Sequence, residues 1–165
     1  MEKLYGIEER NDQLIRFART GKTILQWGFF EGEQDGEPAH YYYQHTWFVR
    51  PTSEQVVKFL TDFINKLTDE RILTGYVWNG MNVYLSTENQ FNFKAAYDVA
   101  VQTGGAILPI TFKLGEDADG NPHYYTFEDM VSFSDFYTGA ISFIQRTLAD
   151  GWREKDLARQ TFSDQ

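Results

Sequence analysis

Gly32-Glu33-Gln34-Asp35-Gly36-Glu37-Pro38-Ala39-His40-Tyr41-Tyr42 returns later in the chain as Gly115-Glu116-Asp117-Ala118-Asp119-Gly120-Asn121-Pro122-His123-Tyr124-Tyr125. The shared skeleton is Gly-Glu, Asp-Gly, Pro and His-Tyr-Tyr, with single-residue shifts. Each copy lies between two strand-like runs: Thr23–Phe30 and Tyr41–Val49 around the first, Ile107–Leu114 and His123–Phe127 around the second. Asp-Gly supplies the positive φ of a tight turn, and a proline just beyond it discourages continued ladder pairing. Both copies therefore read as β-hairpins with acidic, exposed tips.

A third hairpin lies between them, where Tyr76-Val77-Trp78 and Met81–Leu85 flank Asn79-Gly80, the strongest two-residue hairpin signal. A helix start follows each hairpin. Thr52-Ser53-Glu54-Gln55 and Thr87-Glu88-Asn89-Gln90 fit a threonine N-cap with a capping-box glutamine, and Thr126-Phe127-Glu128-Asp129 fits it less fully. The stripes behind them have helical spacing. They are Val56, Leu60, Phe63, Ile64 and Leu67; then Phe93, Ala96, Tyr97, Ala100 and Val101, stopped by Gly104-Gly105; then Phe133, Phe136, Tyr137, Ala140, Ile141, Ile144 and Leu148. The last helix is expected over about 128–150, with a resumption or continuation through Trp152 to Ala158.

The expected fold is α+β: three ββα units of antiparallel hairpin and amphipathic helix, with helices packed on sheet. Residues 8–20 are expected to form a short helix, because Leu14, Ile15 and Phe17 punctuate charged sequence. The expected division is an N-terminal hairpin-helix unit over 1–67 and a second region over 68–165, or one continuous domain.

The 165 residues suffice for a core without disulfide or metal. Aromatic side chains make up 17% of the chain, enough to fill a core and leave rings for the surface. With no cysteine, the chain has no thiol nucleophile and no thiolate metal ligand. Neither a signal peptide nor a membrane span is legible. The net charge of −9 is spread along the chain and repels phosphate backbones, so nucleic acid is not an expected partner, and without an apolar run of spanning length neither is a membrane.

His40 and His45 are five apart on an expected strand and so face opposite ways, while His40 and His123 hold equivalent places beside the hairpin tips. Asp117, Asp119 and Asn121 alternate as calcium ligands do, but the glycine and terminal glutamate of an EF-hand loop are missing. No phosphate-binding loop, dinucleotide fingerprint or nucleophile elbow occurs. An enzyme is not expected, nor is a cofactor or a metal. The excess lies in the rings. Three consecutive tyrosines, Tyr41, Tyr42 and Tyr43, must send at least one outward, and Tyr124-Tyr125, Trp78 and Tyr84 repeat the situation. With His40 and His123 these form the expected partner-binding set, for protein contact or for sugar stacking.

Ile72–Tyr76, Val83–Asp98, Leu108–Lys113 and Thr147–Trp152 together resemble short, functionally unassigned proteins of tailed phages and prophages of gut bacteria. The likeness covers Thr68 to Lys155. It implies a virion-associated protein of tail, fibre or head fibre, made in the bacterial host cytoplasm and acting by contact with other virion proteins as a homo-oligomer. A fibre-assembly chaperone and a carbohydrate-binding module are the alternatives.

Overall fold

The computed structural model describes residues 1–6, 11–117 and 119–163. The chain is α+β, with antiparallel pairing throughout the described strands. In order it forms β1 (Glu2–Gly6), β2 (Gln13–Arg16), β3 (Thr23–Gln34), β4 (Glu37–Trp47), α1 (Ser53–Thr74), β5 (Tyr76–Trp78), β6 (Met81–Val83), α2 (Thr87–Gln102), β7 (Ile110–Glu116), β8 (Pro122–Phe127) and α3 (Met130–Phe162). It divides into two compact units, Met1–Phe63 with Gln160–Gln165, and Ile64–Arg159.

In the first unit the long β3–β4 hairpin is flanked on both sides, giving the strand order β1-β4-β3-β2. Asp35 and Gly36 turn it with φ of 54° and 83°, the two positive values a type I′ turn needs. The ladder does not stop at Pro38: Glu33 pairs Pro38 and Glu31 pairs His40. In a two-residue hairpin the residues flanking the turn, here Gln34 and Glu37, are the hydrogen-bonded pair. The next pair is not, so the missing Pro38 N–H points away from β3 and costs nothing there.

The helix expected over 8–20 is not found where the structure describes that stretch. Residues 8–10 lie outside the described residues, and Gln13–Arg16 is β2, paired with Thr23–Gln26. Leu14 and Ile15 thus go to opposite faces of a sheet rather than to one face of a helix.

One sheet face carries Leu25, Trp27, Tyr43 and His45, and the first turns of α1 cover it. Trp27 and Tyr43 meet Phe63, and His45 and Trp47 meet Phe59. Leu25, Val56 and Leu60 are wholly buried in this unit. α1 opens on the expected capping box, with the Gln55 amide donating to Thr52 Oγ1 at 3.2 Å and the Thr52 amide to Gln55 Oε1 at 2.9 Å. It runs past Leu67, the last position of the expected stripe, to Thr74.

The second unit is built around rings. Trp78, Phe93, Phe127, Phe133 and Phe136 are buried with Tyr76, Val83, Leu85 and Leu114 in one cluster. Asn79-Gly80 turns β5 into β6 as expected, with φ of 48° and 75°. The Tyr84 amide donates to the Leu114 carbonyl at 2.8 Å, which joins the end of that hairpin to β7. Gly104-Gly105 ends α2: the Gly105 amide reaches Ala100 O at 2.7 Å and Gly104 reaches Val101 O at 3.3 Å, a Schellman closure.

Two expected caps move. Ser86, not Thr87, caps α2, its Oγ accepting from the Asn89 amide at 3.2 Å. Asp129 stands at the start of α3, accepting from the Ser132 amide at 2.8 Å, while Thr126 stays in β8 opposite Thr111. Strand pairing holds Thr126 in the ladder, so the next short polar side chain takes the orphan amides. α3 is continuous to Phe162, and Gly151, just past the expected end of the helix near Asp150, is buried inside it against Thr68.

Candidate functional site

The nine expected contact residues fall into both units, and each group is best taken by itself. In the first unit, His40 to Tyr43 lie on β4 and alternate. Tyr41 and Tyr43 share the face that carries α1, and Tyr42 and His40 take the other. Tyr43 is half-buried at the helix seam, edge-on to Phe63 with centroids 4.9 Å apart. Tyr42 stacks on Phe29 at 5.1 Å on the opposite face.

Tyr41 lies further along the hairpin and gathers a partly open ring cluster. Its ring stacks on Phe30 at 5.5 Å and meets Tyr5 at 6.3 Å. Lys3 Nζ sits 4.4 Å from its centroid and 5.0 Å from that of Phe30, a cation over two π faces. Its hydroxyl donates to the Glu33 carbonyl at 2.6 Å, with Gln34 Oε1 3.0 Å away. Gly32 makes room for this pose, since a Cβ there would meet Tyr41 Cε2 at 2.7 Å. The ring is thus locked by stacking, a hydrogen bond and a missing side chain. Tyr5 is 61% exposed and Phe30 40% exposed at its margins. Fixed rings with open edges make contact at little entropic cost.

Behind Phe30 the strand is shaped by a bulge at Gly28-Phe29, where the ladder shifts between Trp27 and Phe30. Asp12 Oδ1 accepts the Gly28 amide at 2.7 Å. Burial pushes the Asp12 carboxyl above its ordinary value, and the Gly28 amide acts the other way. On the face away from α1, Gln13, Gln26 and Gln44 form a hydrogen-bonded row across β2, β3 and β4, at 2.8 and 3.0 Å.

The second unit treats its expected residues differently. Trp78 is 6% exposed and belongs to the core: it is edge-on to Tyr125 and Phe136, and its Nε1 donates to Asp135 Oδ2 at 2.9 Å. It offers no open face for a sugar. Tyr125 and Tyr84 are half-buried, and the Tyr84 carbonyl accepts from Asn89 Nδ2. Tyr124 is 64% exposed, and His123 is half-buried, paired with Gly115. At the neighbouring tip, both Asp117 oxygens are taken up by the loop itself, from the Asp119 and Asn121 amides and Asn121 Nδ2. Those bonds hold its carboxyl below the usual range.

An open groove of about 330 Å³ is lined by Arg71, Thr74, Gly75, Phe143, Thr147 and Asp150. Both hydroxyls there serve the helices, Thr74 on Glu70 O and Thr147 on Phe143 O, and Arg71 pairs with Glu154 at 2.7 Å. Tyr76 donates to Phe136 O, and burial with the nearby Asp135 pushes its phenol up to about 12, so it stays protonated. Among the described residues no three His, Asp or Glu side chains gather to hold a metal ion, and no helix is long and apolar enough to cross a membrane.

Sequence reasoning reached Tyr41 but not its partners. Lys3 and Tyr5 come from β1, and Phe30 arrives only through the bulge. No family model, curated protein or solved structure matches the chain.

Proposed function

We propose that the protein is a non-catalytic adaptor of a tailed bacteriophage particle, in tail, fibre or head fibre, acting in more than one copy through protein-protein contact. The observation that carries the contact reading is the Lys3–Tyr5–Phe30–Tyr41 cluster. Its rings are held by neighbours on three strands and yet open at the edge, the pattern of an aromatic anchor flanked by a cation. The phage setting rests on the likeness of Thr68–Lys155 to phage and prophage proteins. A fibre-assembly chaperone would use the same contact without remaining in the particle. A carbohydrate module loses ground, because Trp78 is buried and carries core packing instead.

Two measurements test this. Mass spectrometry of purified particles should find the chain in the virion; its presence only in infected-cell extract would transfer the contact to a chaperone. Affinity purification with Tyr5→Ser/Phe30→Ser should lose a virion protein that the native chain retains. Equal retention by both would sink the cluster as the contact site.

A further inference from the structure

The first unit's sheet is charged oppositely at its two ends. Glu31–Glu37 holds four acids in seven residues and no base, while Gln13–Phe30 and Pro38–Ser53 hold no acid at all. The acids Glu31, Glu33, Asp35 and Glu37 are all exposed on the β3–β4 tip, which runs beyond the last paired residue of β2. At the other end Thr23 pairs both Arg16 and Trp47, so the connections leaving β2 and β4 emerge side by side. Those connections carry Arg19, Lys22 and Arg50, together with Phe17, Phe48 and Val49. Phe48 is 80% exposed, Val49 71% and Phe17 44%, with Lys22 Nζ 5.7 Å over the Phe17 ring. None of these three cations and none of the four tip carboxylates forms an ion pair among the described residues.

The two ends do not neutralise each other within one molecule. Eleven residue steps of β3 separate Thr23 from Gln34, roughly 35 Å at the strand rise and several times the screening length of about 10 Å in 0.1 M salt. A second molecule removes that distance. We propose that the basic, apolar end receives the acidic β3–β4 tip of a second copy, so that copies join head to tail.

Charge complementarity selects this occupant. A charge of −9 on each copy opposes approach at long range, so the pairing rests on the local match: the tip presents four acids on a narrow two-stranded finger, opposite in sign to Arg19, Lys22 and Arg50. The apolar side chains at the receiving end supply area to cover, which bare opposite charges do not. The two surfaces differ, so the interface is heterologous, and repetition closes a ring or extends a filament. The inference deepens the multi-copy part of the proposed function, and its failure would leave the Tyr5–Phe30 contact with a virion protein standing.

Sedimentation velocity of the full chain, over rising concentration in low and in high salt, is the test. Association is expected in low salt and should recede in high salt. Arg19→Gln/Lys22→Gln/Arg50→Gln and Glu31→Gln/Glu33→Gln/Glu37→Gln should each weaken it on the order of tenfold or more. All six changes are on exposed or half-exposed side chains, and circular dichroism checks the folds. An equimolar mixture of the two variants keeps one native tip and one native receiving end, and should form dimers that grow no further. A native chain that stays monomeric in low salt overturns the proposal. So does association that ignores either variant, or a monomer whose basic end instead binds vesicles of anionic phospholipid or a DNA duplex.

Discussion

The two units use their aromatic residues in opposite ways. In the second, rings face rings: Phe136 alone meets Tyr76, Trp78, Phe93 and Phe127, with centroids 5.0 to 6.2 Å apart. Two of these rings also have their polar atoms matched internally, Trp78 to Asp135 and Tyr76 to the Phe136 carbonyl. In the first, the α1 seam buries Trp27 and half-buries Tyr43, but the rest of the hairpin keeps rings at its edge and charges at its ends. The difference teaches that ring content alone does not mark a surface. What distinguishes the first unit is that β1 and β2 are too short to cover the hairpin, so its far part stands without a helix's worth of apolar neighbours.

The sharpest way to break this comparison is to delete one ring from each unit. Phe136→Ala, at a wholly buried position, is expected to cost about 3–5 kcal/mol of stability in chemical denaturation. Phe30→Ala, at a site 40% exposed, should cost about 1 kcal/mol or less while removing the proposed contact surface. Equal losses would mean that Phe30 is a core residue and that the two units do not differ as described.

A smaller effect is expected at Gly151, where a methyl group would run into the Thr68 side chain. Gly151→Ala should destabilise by about 1–3 kcal/mol, since a buried helix-helix approach has little room to yield. Thr68→Ala removes the obstructing Oγ1 and Cγ2, so the double variant should be more stable than the sum of the singles predicts. Additive effects would show that the helices shift apart instead.

Much of this architecture was legible because its signals are local. Asp35-Gly36 and Asn79-Gly80 carry their turns in two residues, and Gly104-Gly105 carries a helix end. What was not legible depends on partners far away in sequence. Gln13–Arg16 has the punctuation of a helix, yet Thr23–Gln26 claims it as a strand edge. Trp78 looks like an exposed platform on a short hairpin until Phe136 and Asp135 arrive from α3. The proposed contact cluster is half readable: Tyr41 lies in the tyrosine run, whereas Lys3 and Tyr5 join it only through β1–β4 register. The charge asymmetry was written in the sequence as acid-free windows, but it acquires meaning only when the hairpin sets the windows at opposite ends of one sheet.

The caps sharpen the local side of that argument. Ser86→Ala should cost about 1 kcal/mol in thermal or chemical unfolding, since the Asn89 amide then loses its acceptor, while Thr87→Ala should change stability little. The reverse order would restore Thr87 as the cap that the sequence pattern suggests.

The smallest expected effect probes the one histidine held between rings. His45 stacks on Phe59 at 4.2 Å and meets Trp47 edge-on at 4.6 Å. Burial, with a lesser contribution from the terminal ammonium of Met1, lowers its pKa below the ordinary value of 6.5. A histidine with a lowered folded-state pKa binds its proton more readily when unfolded. Its contribution to stability is therefore complete above pH 6.5 and is lost as the pH falls through that value toward the folded one. The native chain should lose stability across that window more steeply than His45→Gln, measured by denaturation at a series of pH values. The stacked Phe59 works in the other direction, because an imidazolium over a ring face gains cation–π attraction. If the native chain instead gained stability relative to His45→Gln on acidification, that attraction would outweigh desolvation. The α1 seam would then be a place where the first unit accommodates a charge, as it already does with Lys3 over Tyr41.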